Sequence, residues 1–350
     1  MIGLDIFSGA GGLSLGAINA GIEVICAIDN DKYSSLTYKF NHPESKVIND
    51  DIRKISANGI VPKAPNIIFG GLPCQGFSFS NKLTRNTENE KNSLFEEFVR
   101  FVAGNKPRWF LLENVEGIIE FNKGKTVEII RNEFTKLGYN ISDKVLTASD
   151  YGVPQNRNRY FLVGNNIGVN FIFPDKEERK ITVWEAISDL PKLNNGDKIY
   201  ELEYNDSSSL TEYQKLMRKN SKTSLQNYVS KNQEYILKRY KHIKQGENWK
   251  SIPPKLMSNY ANLKNCHSGI YKRLVADKPS IVISNYRKNM LIHPFENRGL
   301  SVREAARLQS FPDDFIFQGT LWYIQQQIGN AVPPLLSEKI FKKIIELDKK

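Results

Sequence analysis

Six short apolar runs alternating with helical patterns constrain this chain more than any other feature. They are Ile2 to Phe7, Glu23 to Ile28, Lys46 to Ile48, Asn66 to Phe69, Arg108 to Leu112 and Arg159 to Val163. Helical patterns lie between them, notably Leu13 to Ala20, Ser93 to Ala103 and Thr126 to Leu137. Strands alternating with helices predict an α/β fold, a doubly wound and mostly parallel sheet that binds ligands at the carboxyl ends of its strands. Those ends carry the chemistry. Ser8-Gly9-Ala10-Gly11-Gly12 follows the first run, Asp29 the second, Asp50-Asp51 the third, Gly71-Leu72-Pro73-Cys74 the fourth and Glu113-Asn114 the fifth.

The βα rhythm stops near Leu190. A polar, Asn- and Lys-rich stretch runs from about Pro191 to Asn297, and helical patterns return at Leu300 to Gln309 and Val332 to Leu347. The expected division is therefore a catalytic and cofactor-binding domain of residues 1–190 completed by 322–350, with a smaller domain of residues 191–321 inserted. The last helix is expected to pack back on the opening sheet.

The net charge of +11 and pI near 9.3 favour a polyanionic partner. Between Thr211 and Lys250, ten Lys and Arg stand against three Glu and no Asp. That run reads equally as a solvated basic face. Three scattered cysteines, Cys26, Cys74 and Cys266, make neither a disulfide framework nor a CxxC metal site. With no signal-peptide pattern and no long apolar run, a cytoplasmic protein without a metal and without membrane contact is expected.

The glycine-rich turn after the first run lets a ligand approach backbone N–H groups closely. A dinucleotide fingerprint would need a third glycine where Ser14 stands, which disfavours a nicotinamide enzyme. Asp29, ending the second strand, is placed to accept hydrogen bonds from ribose hydroxyls, with a cap or turn as the plainer reading. Pro73 ahead of Cys74, flanked by glycines, reads as a strand top delivering a rigidly held thiol to a loop. A buried core cysteine is the alternative.

The wording from Gly71 to Phe79 closely resembles the nucleophile motif of the DNA (cytosine-5)-methyltransferases, the bacterial type II enzymes in particular. Further motifs match in that family's order: the opening glycine turn, Glu113-Asn114-Val115, Gln155-Asn156-Arg157-Asn158-Arg159, Arg298 to Phe315, and Gln327 to Pro333. The resemblance implies S-adenosylmethionine as cofactor, giving S-adenosylhomocysteine as product. Phe7, Ser8, Gly9, Gly11, Gly12, Asp29, Asp51, Ile52, Pro73 and Asn330 would bind it. The family usually has glycine where Asp50 stands, which leaves open which of Asp50 and Asp51 meets the adenine.

The resemblance likewise implies the chemistry. Cytosine C5 is a poor nucleophile, and a thiolate from Cys74 adding to C6 makes it reactive. Glu113 would bond ring N3 and the exocyclic amine, Arg159 would face O2, and Arg157 would support Arg159. The base removing the C5 proton is not identified. The target cytosine must flip from double-stranded DNA, and Lys91 in the polar stretch from Asn81 to Asn92 is a candidate phosphate contact. Residues from about Pro191 to Asn297 occupy the place of the target-recognition region. There Lys238 and Arg239 are candidate DNA contacts, and Arg303 and Glu304 are expected either to organise the region or to form an ordinary helix salt bridge. The family reading further implies a monomer, nucleoid-associated in a bacterium, with a restriction endonuclease as functional counterpart. Two rivals stand beside it, a transfer-RNA cytosine-5 methyltransferase and a DNA-binding relative without catalysis. Neither Cys266-His267 nor another cysteine supplies the Cys-Phe-Thr tripeptide of the transfer-RNA branch.

Overall fold

Seven strands form one sheet: β1 (Ile2–Ile6), β2 (Glu23–Asp29), β3 (Lys46–Asn49), β4 (Ile67–Gly71), β5 (Trp109–Val115), β6 (Asn140–Thr147) and β7 (Asn158–Asn165). Their order is β3-β2-β1-β4-β5-β7-β6, with β7 antiparallel to both neighbours and every other pairing parallel. This is the doubly wound, mostly parallel sheet that the apolar runs predict. The order reverses between β1 and β4, so a crevice opens beside the carboxyl end of β1. The computed structural model describes residues 1–73, 94–205, 209–259, 269–284, 286 and 290–349.

Contacts divide the chain into two units. The first comprises residues 1–147, 158–176 and 332–350, and the second residues 148–157 and 177–331. In the first, α1 (Gly12–Asn19), α2 (Lys32–Asn41), α3 (Leu94–Asn105), α4 (Lys125–Lys136) and α10 (Pro334–Asp348) accompany the sheet. Its core is the interior of the sheet, with Leu4, Ile6, Ile68, Phe110 and Leu112 all buried against Phe98 and Phe134. As expected, α10 packs back on the sheet. Phe341 stacks edge-on against Phe69 at 4.9 Å, and Asp348 accepts from Trp109 Nε1 at 2.9 Å.

The second unit contains α5 (Val183–Ile187), α6 (Glu212–Arg218), α7 (Glu234–Tyr240), α8 (Val302–Leu308), α9 (Leu321–Asn330) and an antiparallel pair, β8 (Lys198–Leu202) and β9 (Ser224–Tyr228). Every residue of α8 is buried. Apart from residues 148–157, which the sequence division kept with the first domain and which cluster with the second unit, the unit boundaries fall at 176/177 and 331/332, where the sequence division placed them at 190/191 and 321/322. Side-chain contacts explain both differences. Arg307 on α8 donates to Ala186 O and Asp189, tying α5 to α8, while Gln309 donates to Ile328 O on α9 at 2.6 Å.

Candidate active site

The turn after β1 is built from alternate left-handed residues: Phe7 (φ 64°), Gly9 (φ 54°) and Gly11 (φ 92°). Phe7 is the unusual member, since side chains seldom adopt this conformation. At Gly11 an added Cβ would stand 2.7 Å from the His42 ring, so glycine is required there sterically as well as conformationally. At Gly9 an added Cβ would meet nothing within 4 Å, which leaves open space beside the turn. Ser8 Oγ is buried without a hydrogen-bond partner, and Gly12 begins α1. An open cradle, an orphaned hydroxyl and a strained backbone fit a bound polar ligand.

Beneath the turn lies a polar cluster that sequence reasoning did not isolate. Ser14 Oγ donates to Asp5 Oδ2 at 2.5 Å, and Tyr38 donates to Ser14 at 2.7 Å. Asp5 is fully buried and its Oδ1 has no partner, so burial holds its carboxyl well above the usual range. The available signal was an acid inside an apolar strand with a serine nine residues on.

Asp29 ends β2 at the crevice. Its Oδ2 accepts from Gly9 N and its Oδ1 from Asp31 N, both at 2.8 Å, so it ties the glycine turn to the second strand. Burial pushes this carboxyl up, and the two amides oppose the shift. Asp51 caps the 3-10 turn Ile52–Lys54 and is held by the Arg53 guanidinium, which lowers its carboxyl to about 2. Asp50 Oδ1 accepts from Asp51 N at 2.7 Å. Ile52 is buried in the core.

The stem of the nucleophile motif is clamped between strands. At Gly70 a Cβ would stand 1.8 Å from Ile6 O, and at Gly71 one would stand 2.9 Å from Glu113 Oε2. Gly70 has no room for a side chain, and one at Gly71 would have to displace the Glu113 carboxylate. Leu72 N donates to Glu113 O at 3.1 Å, and Asn114 Nδ2 donates to Leu72 O at 2.9 Å. The chain thus reaches exposed Pro73 fastened to β5 on both sides. Cys74, Lys91 and Cys266 lie outside the described residues.

The antiparallel register of β5 and β7 sets Arg159 opposite Val115 and Phe161 opposite Glu113. Arg159 and Glu113 are therefore diagonal neighbours on one face, within reach of each other. Arg159 Nε meets Glu113 Oε1 at 2.8 Å, with both side chains nearly buried. The structure so brings together two predicted residues separated by forty-six positions.

Other predicted residues lie in the second unit. Arg157 is fully buried and donates to Ile283 O at 3.0 Å and Gly329 O at 2.8 Å. Gln155 bonds Leu308 O and Gln309. Asn330 is exposed at the end of α9. Arg303 and Glu304 form no salt bridge with each other. Arg303 donates to the carbonyls of Leu225, Pro312 and Phe315, whereas Glu304 accepts a forked pair from Arg298 at 2.9 and 2.7 Å.

One expectation is overturned. Arg239 is buried and donates to Leu256 O and to Tyr271 Oη, both at 2.7 Å, so it braces the core instead of facing phosphate. Its neighbour Lys238 is exposed and, among the described residues, pairs with Glu234, one turn away. The sequence also gave no sign of the buried ion-pair network in which Arg307 bridges Asp189 and Asp313.

A mostly parallel seven-stranded sheet of this order, with a glycine turn at its switch point, is a methyltransferase-type α/β fold. The chain belongs to the C-5 cytosine-specific DNA methylase family, whose model matches residues 1–346. It is an enzyme that methylates cytosine in DNA at C5 with S-adenosylmethionine as methyl donor. It is 34% identical to the type II methyltransferase M1.HphI of Haemophilus parahaemolyticus, over 99% of this chain and 87% of that protein. It is 35% identical to the type II methyltransferase M.DdeI of Desulfomicrobium norvegicum, over 97% of this chain and 88% of that one. Among solved structures it resembles a prophage-encoded DNA modification methyltransferase of Escherichia coli, with a TM-score of 0.80, 26% identity and full coverage of both chains. Among the described residues no helix is long and apolar enough to cross a membrane.

Proposed function

We propose that this enzyme methylates one cytosine within a specific short sequence of duplex DNA, as the modification partner of a type II restriction system, after flipping that base from the helix. The observation carrying the reading is the nearly buried Glu113–Arg159 pair, at the carboxyl end of the sheet and beside the clamped stem that leads to Cys74.

When bound, S-adenosylmethionine supplies an electrophilic methyl group. Asp29 and the turn from Phe7 to Gly12 would hold it, with Asp51 and Ile52 toward its adenine; Pro73 and Asn330 complete the assigned set. Cys74 as thiolate adds to cytosine C6, and the ring electrons that this displaces make C5 nucleophilic. Glu113 bonds ring N3 and the exocyclic amine, while Arg159 bonds O2 and offsets the charge that develops on the ring. After transfer, the C5 proton leaves, the electrons return to the ring and the sulfur departs from C6. Arg157 acts at one remove, fixing the chain just before β7 so that Arg159 emerges in register.

Base-resolution cytosine sequencing of DNA from cells expressing the protein tests this reading. One short sequence should be methylated at a single cytosine, and Cys74→Ser should abolish the mark while leaving cofactor affinity near normal. Methylation confined to transfer RNA would instead favour the rival substrate, and a Cys74→Ser variant retaining transfer within tenfold of wild type would remove the thiol from the mechanism.

A further inference from the structure

The strand that carries Glu113 ends at Val115, and the next nine residues, 116 to 124, form an unusual turn. Glu116 is fixed by Asn158 Nδ2 at 3.0 Å, and Ile118 is buried in the core. Beyond that anchor the chain exposes two large apolar side chains in three residues, Ile119 at 41% and Phe121 at 46%. The backbone then passes through three consecutive left-handed residues, Asn122 (φ 54°, ψ 38°), Lys123 (φ 57°, ψ 37°) and Gly124 (φ 83°), before α4 begins at Lys125. Left-handed residues occur routinely only singly, and lysine is a poor occupant. A scattered exposed leucine or phenylalanine calls for no explanation, but a strained turn that presents one does.

Extruding a base from a duplex leaves a gap in the stack, and apolar side chains inserted at base steps are a recurrent means of holding such a distortion. Lys123 and Lys125 are exposed on either side of Gly124, which suits phosphate. Building on the base-flipping reading above, we propose that Phe121, flanked by Ile119, is an apolar wedge that contacts the duplex beside the flipped cytosine. The occupant of this patch is DNA, because the turn continues directly from the Glu113 strand and Lys123 and Lys125 both follow Phe121, while its two acids, Glu116 and Glu120, precede it and Glu116 is held by Asn158.

The test uses two synthetic duplexes bearing the methylated sequence found by sequencing. One has 2-aminopurine at the target position in an otherwise paired duplex, and the other has its target cytosine opposite an abasic site. Phe121→Ala should lose about tenfold or more in affinity and most of the fluorescence rise on the paired duplex, while binding the unpaired one nearly as wild type does. Phe121→Leu should recover much of the loss, and cofactor affinity should not change. Equal losses on both duplexes, or none on either, would overturn the wedge. Self-association that Phe121→Ala abolishes, with duplex binding unaltered, would assign the patch to a second copy and equally overturn it. Wild-type protein that fails to bind or methylate any duplex would bring down the parent reading and the wedge together.

Discussion

Asp29 serves two masters at the residue scale. Its carboxylate holds the Gly9 and Asp31 amides, and the lone pairs left over are those a ribose would use. Asp29→Ala should therefore weaken S-adenosylmethionine binding by about 1–3 kcal/mol, the usual loss for hydrogen bonds to a charged acceptor. Calorimetry returning unchanged affinity would remove Asp29 from the site. His42 makes a separate prediction. Burial against Tyr38 pushes its imidazole down to about 4 from an ordinary 6.5, so the folded state prefers it neutral. The unfolded chain then binds more protons between those values. The stability this contributes is complete above pH 6.5 and is lost as pH falls toward 4, to an extent of roughly 3 kcal/mol. Urea unfolding of wild type and His42→Gln across that window checks the sign. Parallel curves for the two proteins would show that His42 is not the titrating group.

At the scale of elements, close approach decides where substitutions hurt. Gly16 lies in α1 where α10 crosses it, and an added Cβ would stand 2.0 Å from Ser337 Oγ and 2.6 Å from Glu338 N. Gly16→Ala should push the last helix off the sheet and cost about 1–3 kcal/mol, read as a lower urea midpoint with an unchanged slope. A midpoint equal to wild type would mean that α10 shifts freely. The elements visible in the sequence were those with an apolar run or a regular apolar stripe, and β1, β2, β4, β5 and α4 stand within a few residues of expectation. Edge strand β6 went unseen because it is polar and only Leu146 in it is buried. Helix α2 went unseen because its buried face is Ser34, Ser35, Thr37 and Tyr38, whose burial depends on partners elsewhere in the chain. The same reasoning covers the site. Strand-end positions were legible for Asp29 and Glu113, whereas the Glu113–Arg159 contact depends on the β5–β7 register and the burial of Arg239 on its tertiary contacts.

At the scale of the molecule, we expect the two units to divide the work. The glycine turn, Asp29, Asp51, Glu113 and Arg159 all fall in the first, while the whole stretch from Pro191 to Asn297 falls in the second. Within the second unit, Arg307 joins Asp189 and Asp313, and Arg303 holds Leu225 O on β9. These anchors lie partly outside the stretch from Pro191 to Asn297 and partly within it. Buried charges left without partners cost about 3–5 kcal/mol each, so they limit what can be exchanged. We expect target choice to travel with residues 191–297 when that segment is replaced by its counterpart from a relative of different specificity, provided the donor segment returns a carbonyl to Arg303. The chimera should bind S-adenosylmethionine as wild type does, because every residue assigned to the cofactor except Asn330 lies in the first unit. Its methylation, mapped at base resolution, should move to the donor's sequence. Its affinity for any duplex should still fall steeply with salt if exposed lysines such as Lys238 meet phosphate, whereas a lysine that reads a base would instead relax discrimination at one position. A folded, active chimera that still marks the original sequence would place the readers outside 191–297.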